Sequence, residues 1–94
     1  MQKTNHWTRT DNKLIGVYSF TEFTAAMSFV IAVGRESEKS HHHPTICIRH
    51  RIVELVLTTV DQGNTLTGLD YALADKIERL YAPFLKQIQL VSED

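Results

Sequence analysis

The sequence predicts an α+β fold, a small antiparallel sheet with two long helices packed on one face. Three observations carry this reading. Leu14–Phe20, Thr45–Arg49 and Ile52–Thr59 are short runs, rich in β-branched and aromatic residues, that alternate in polarity. Thr21–Lys39 and Thr67–Tyr81 repeat apolar residues at helical spacing. The order is strand, helix, two strands, helix, which suits helices segregated to one face of an antiparallel sheet.

Residues 1–13 are polar apart from Trp7 and read as a loop or loosely held arm whose tryptophan packs back onto the domain. In the first strand Ile15, Val17 and Ser19 share one face, and Leu14, Tyr18 and Phe20 lie nearer the other. The helix over 21–39 is capped either by Ser19 with Glu22 three residues on, or by Thr21 itself. Phe23, Ala26, Met27, Phe29, Val30 and Val33 form its apolar arc, and Arg35–Lys39 is a solvated end.

Pro44 forbids continuation of that helix and sets an extended entry to the next strand. The link at His50-Arg51 is short, so Thr45–Arg49 and Ile52–Thr59 read as an antiparallel hairpin, with Val53, Leu55 and Leu57 on one face. Asp61–Leu66 is turn chemistry. Thr67 with Asp70 three residues later caps the second helix, and Leu66 is placed to staple against Tyr71. Its buried stripe is Leu69, Leu73, Ile77, Leu80 and Phe84, and Pro83 is expected to end or kink it. The tail Phe84–Val91 is apolar enough to pack on the body or on another subunit.

With 94 residues the chain reads as a single domain over 1–94, and a core this small makes a homo-oligomer, dimer or tetramer, the expected state. Ten basic and eleven acidic residues give a net charge of −1, and Arg49-His50-Arg51 is the one local basic cluster, so no nucleic-acid partner is expected. No apolar run reaches the ~20 residues of a membrane span, and none is expected to cross one. Cys47 stands alone between Ile46 and Ile48, which excludes a disulfide framework, marks it as a buried or half-buried small side chain and fits a reducing cytoplasm.

The constellation that looks chemical is Glu38–Pro44 (EKSHHHP). Consecutive histidines do not converge easily on one ion, so no metal site is expected. A solvated polar loop is the plain alternative. Imidazole titrates near neutrality, so the same residues suit proton transfer.

The spacing of an acidic residue, three positions, then His42-His43-Pro44 after a long helix resembles the signature of the pterin-4a-carbinolamine dehydratases. The likeness extends over roughly residues 7–81. It includes Trp7, the stretch Tyr18-Ser19-Phe20-Thr21-Glu22-Phe23, the helical positions Phe29 and Val33, the strand positions Val53, Leu55 and Leu57, and Leu66–Ala74. The resemblance implies dehydration of 4a-hydroxytetrahydropterin to quinonoid dihydropterin, a step that recycles a pterin cofactor and needs no metal or redox cofactor. It implies that His43 is the main acid/base, that His42 orients the pterin and stabilises charge, and that Glu38, Asp70 and Trp7 contribute to substrate binding. The chain departs from the pattern at Val60, where the family presents a third histidine in a Thr-His-acid context. An aromatic that the family carries after the proline is also missing, with Ile46 and His50 nearby. The alternative to an active or weakened dehydratase is therefore a non-catalytic relative that serves as a binding or assembly factor for a larger enzyme or protein complex.

Overall fold

The computed structural model describes residues 6–60, 63 and 65–93, with 86–93 by backbone alone. Among these, the elements run β1 (Trp7–Thr10), β2 (Lys13–Ser19), α1 (Phe23–Ser40), β3 (Thr45–Arg49), β4 (Ile52–Leu57) and α2 (Gly68–Glu93). The strands form an antiparallel sheet in the order β1-β2-β4-β3.

Alternation decides which face is covered. The β2–β4 register sets Leu14 beside Leu57, Gly16 beside Leu55 and Tyr18 beside Val53, and all six are buried. Their neighbours one position along, Ile15, Val17, Ile52, Glu54 and Val56, are half-buried or exposed on the other face. Both helices lie on the first face. α1 contributes Ala26, Phe29 and Val33, and α2 contributes Leu73, Ala74, Ile77 and Tyr81. Each large side chain so buried stabilises the fold by about 1.5–3 kcal/mol relative to exposure. The centre is aromatic: the ring of Phe29 sits 4.9 Å from that of Tyr18 and 5.1 Å from that of Phe20, and Tyr81 lies 4.8 Å from Tyr18.

The expected polar arm is instead a strand over its described part. β1 pairs with β2 so that Trp7 stands opposite Gly16. A Cβ on Gly16 would meet the indole carbons at 2.7–2.8 Å, so the absence of a side chain there is what lets the ring lie on the sheet. Trp7 Nε1 donates to the Tyr18 hydroxyl at 2.6 Å, and that hydroxyl donates to Glu78 at 2.8 Å. Burial pushes the Tyr18 phenol far above its usual range, and the Glu78 carboxylate adds to the effect. The phenol therefore stays protonated and acts as a fixed donor.

Several local expectations change for identifiable reasons. α1 starts at Phe23, and its N-cap Glu22 makes no side-chain capping bond, so neither Ser19 nor Thr21 is the cap residue. Phe23 and Met27 are exposed although they lie on the apolar arc, because the sheet meets only the narrower line of Ala26, Phe29, Val33 and Ser37. Leu69 is 56% exposed, since α2 begins beyond the edge of the core, while Ala74 and Tyr81 complete its buried stripe. β4 ends at Leu57, and Thr59 forms a separate bridge with Thr65. Pro83 neither ends nor interrupts α2. It sits on the exposed side, while neighbouring Phe84 packs on Phe20 and Phe29. Of the turn Asp61–Leu66, residues 61, 62 and 64 lie outside the described residues, and the side chains of the tail beyond Leu85 do too.

Gly16→Ala is expected to destabilise the protein by about 1–3 kcal/mol, because a buried backbone and a large ring must separate. Thermal unfolding measures the loss, and the fluorescence of Trp7, the one tryptophan, reports whether β1 has lifted from β2.

Candidate active site

The site is built where α1 ends, β4 ends and α2 begins. α1 closes with a Schellman arrangement: His41 N–H donates to the Glu38 carbonyl at 3.3 Å and His42 N–H to the Ser37 carbonyl at 3.1 Å. His41 takes the left-handed conformation this requires, with φ 53°. Ser37, buried beneath it, donates its hydroxyl to the Val33 carbonyl at 2.7 Å. The abrupt reversal sends the next two histidines in different directions. His42 is buried and His43 is exposed, and Pro44 then leads into β3.

His42 points at the first turn of α2. Its Nε2 lies 2.6 Å from Oδ1 of Asp70, whose side chain is fully buried. The other carboxylate oxygen accepts the Thr59 hydroxyl at 2.6 Å and the Thr67 backbone N–H at 2.9 Å. Thr67 Oγ1 accepts the Leu69 N–H at 3.2 Å, so Thr67 caps α2 through the second helical N–H, while the Asp70 N–H donates to the Thr67 carbonyl. Burial alone would push the Asp70 carboxyl up, but the bonds from Thr59, His42 and Thr67 outweigh it and hold the group below the usual carboxylate range. An ionised Asp70 accepts only, so His42 Nε2 carries a proton and donates it to that bond. Nδ1 remains as the nitrogen able to exchange a proton.

His43 Nε2 lies 2.7 Å from Glu38 Oε2, with both side chains largely exposed. Such a pair contributes little stability, at most about 1 kcal/mol, but it orients the imidazole. A cavity of about 250 Å³ opens between the two histidine pairs. Its lining is His41–His43, Thr58, Thr59, Val60 and Leu69. Of the residues singled out in the sequence, His42 and His43 line the cavity, and Glu38 and Asp70 hold them from behind. Trp7, expected near the rim, lies elsewhere. It lines a separate cleft with Leu14, Tyr71, Ala74 and Glu78, because the β1–β2 register ties it to Gly16 and Tyr18. Thr59 was not anticipated as a partner of Asp70, although it precedes the departing Val60 in the sequence. Among the described residues no cluster of three or more metal-ligating side chains occurs.

The profile of the family described as "Pterin 4 alpha carbinolamine dehydratase" matches residues 1–80. The chain belongs to this family. A protein of Thermomicrobium roseum named "Putative pterin-4-alpha-carbinolamine dehydratase" is 40% identical over 80 residues, covering 85% of each chain. A protein of the same name from Acidobacterium capsulatum is 47% identical over 64 residues, 68% of each chain. Two solved structures share the fold. One is a transcriptional coactivator/pterin dehydratase from Brucella melitensis, at TM-score 0.76, 24% identity and 81% and 82% coverage of this chain and that one. The other is a pterin dehydratase-like protein identified as a RuBisCO assembly factor in the α-carboxysome, at TM-score 0.64, 20% identity and 79% and 84% coverage. Within the dehydratase family fold, Val60 stands at the cavity and is 69% exposed. Ile46 is 37% exposed on edge strand β3. His50 lies in the β3–β4 turn, at the end of β4 away from Val60 and the histidine cavity.

Asp70→Asn is expected to destabilise the protein by about 2 kcal/mol at neutral pH, because three donors lose a charged acceptor. The folded carboxyl lies below its unfolded value of about 3.9, so its contribution is present above that pH and is lost as pH falls through the folded value. The stability gap between the two proteins should therefore narrow below about pH 4, as denaturant titrations across pH would measure.

Proposed function

We propose that this chain dehydrates 4a-hydroxytetrahydropterin to quinonoid dihydropterin in the histidine cavity, at a rate lowered by Val60. The observation that carries the reading is the pairing of two histidines with separate carboxylates around one cavity, His42 with buried Asp70 and His43 with exposed Glu38. The reaction removes the proton on ring N5, forms the C4a–N5 double bond and releases the 4a-hydroxyl, once protonated, as water. His43, reachable from solvent, is the main acid/base, and Glu38 steadies it. His42, held in one tautomer by Asp70, orients the pterin and stabilises charge in the manner of a carboxylate-backed imidazole. No metal or redox cofactor takes part in this scheme. Trp7 is left outside it.

One observation favours a second reading, a non-catalytic binding or assembly factor. The exposed Val60 brings a side chain to the cavity that neither transfers a proton nor hydrogen-bonds a pterin. The fold neighbour named a RuBisCO assembly factor supports this use of the scaffold. Either reading takes the protein as a homodimer or homotetramer in the cytoplasm. The unpaired edge strands β1 and β3 favour self-association, and the single Cys47 suits a reducing compartment. Light scattering at tens of micromolar should give at least a dimer mass.

His43→Ala is expected to abolish the activity, and Val60→His to raise it roughly tenfold or more, because a transition-state hydrogen bond is worth a few kcal/mol. The exposure of Val60 makes that substitution cheap in stability. Steady-state dehydration of a 4a-hydroxypterin generated in situ decides the matter. If neither variant changes the rate, the binding-factor reading replaces the enzymatic one.

A further inference from the structure

A second cavity lies at the other end of β4. It measures about 910 Å³, and its lining is Ser19, Phe20, Phe23 and the turn Arg49–Ile52. Strand β4 separates it from the histidine cavity by roughly 20 Å, at about 3.3 Å per residue, so it is independent of the dehydratase reading. Its floor is fixed: Phe20 is buried in the core, and its N–H donates to the Arg51 carbonyl at 2.9 Å. Its walls are open. Phe23 is 51% exposed and Ile52 is 42% exposed.

Three basic side chains rim this apolar floor. Arg51 and His50 have no hydrogen-bond or ion-pair partner among the described residues. Arg49 has only a loose 3.8 Å contact to Glu54 and a bond to the Cys47 sulfur at 3.3 Å. His50 holds a left-handed backbone, φ 56°, which makes the turn tight and keeps the two arginines close along the chain. The basic cluster of the sequence thus frames the exposed apolar residues at the start of α1.

We propose that this groove docks an acidic segment of a partner protein, one that inserts an apolar side chain between Phe23 and Ile52 and sets carboxylates against Arg49 and Arg51. Complementarity selects this occupant. Exposed guanidinium groups hold a free small anion weakly in water, so the apolar floor must contribute to affinity. An aromatic or aliphatic anchor beside charged groups is what protein interfaces use. A nucleic-acid strand fits poorly. The positive patch spans three residues, Arg49-His50-Arg51, too short a basic run to follow a repeated phosphate backbone, whereas a short acidic segment needs only one or two carboxylates there.

The test uses the 94-residue chain labelled with ¹⁵N and a fluorescein-labelled peptide in which phenylalanine is flanked on each side by aspartate and glutamate. Binding is expected, with amide shifts concentrated at Ser19, Phe23 and Arg49–Ile52 and an affinity that falls between 50 and 300 mM salt, as charge-assisted contacts are screened. The double variant Arg49→Glu/Arg51→Glu should lose at least tenfold in affinity. Phe23→Ala, a change at an exposed position that leaves the charges intact, should lose several-fold. A peptide with lysine in place of the acids should not bind. The proposal is overturned if the shifts map elsewhere, if neither variant weakens the complex, or if inorganic phosphate or a single-stranded oligonucleotide binds the same residues as tightly as the peptide. Dehydration assays on the same variants separate the two readings, since loss of peptide binding should leave the rate unchanged.

Discussion

The buried carboxylate of Asp70 is the interaction on which the functional end of this protein depends. A fully buried charge is tolerated only when its acceptors are filled. Here the fillers come from three places in the chain: the Thr67 N–H at the start of α2, the Thr59 hydroxyl just beyond β4, and His42 just beyond α1. One group therefore caps a helix, fastens the chain leaving the sheet, and fixes the tautomer of an imidazole. Stability and chemistry are coupled at this point, because the bonds that hold the carboxyl ionised are the ones that make His42 a carboxylate-backed histidine.

A second polar knot works at the opposite flank of the sheet. Trp7, Tyr18, His6 and Glu78 join β1, β2 and α2, with His6 Nδ1 2.9 Å from Glu78 and its ring stacked on Tyr18 at 4.6 Å. This network explains why Trp7 serves the architecture. Its indole covers Gly16 and its N–H donates to the buried Tyr18 phenol. Between the two knots the core is apolar and aromatic, and it keeps the ends of β4 apart. One end carries the histidine cavity and the other the basic groove.

The run of three histidines acquires its meaning from this geometry. His41 is used by its backbone, as the left-handed residue of the helix end. His42 is used buried, and His43 exposed. Val60, exposed, lines the same cavity with an apolar side chain.

The sequence by itself determined the class of fold, the pairing of β3 with β4, the alternating faces of β2 and β4 and the Thr67/Asp70 cap. Each of these follows from a local rule: alternation, a tight link, a three-residue spacing, or a motif shared with a family. What only the tertiary structure decided depends on contacts between segments distant in the chain. Polarity alone describes a loose N-terminal arm, yet Gly16 and Tyr18 supply the surface that makes it a strand. Helical periodicity places Phe23, Met27 and Leu69 on apolar stripes, but the sheet is narrower than the stripes are long, so these side chains remain outside. Proline reads as a stop, yet the helix passes through Pro83 because Phe84 is anchored on Phe20 and Phe29. Thr59 joined the site for the same reason. No spacing along the chain announces that a hydroxyl eleven residues before Asp70 will meet its carboxylate, and only the return of α2 onto the end of β4 brings the two within 2.6 Å.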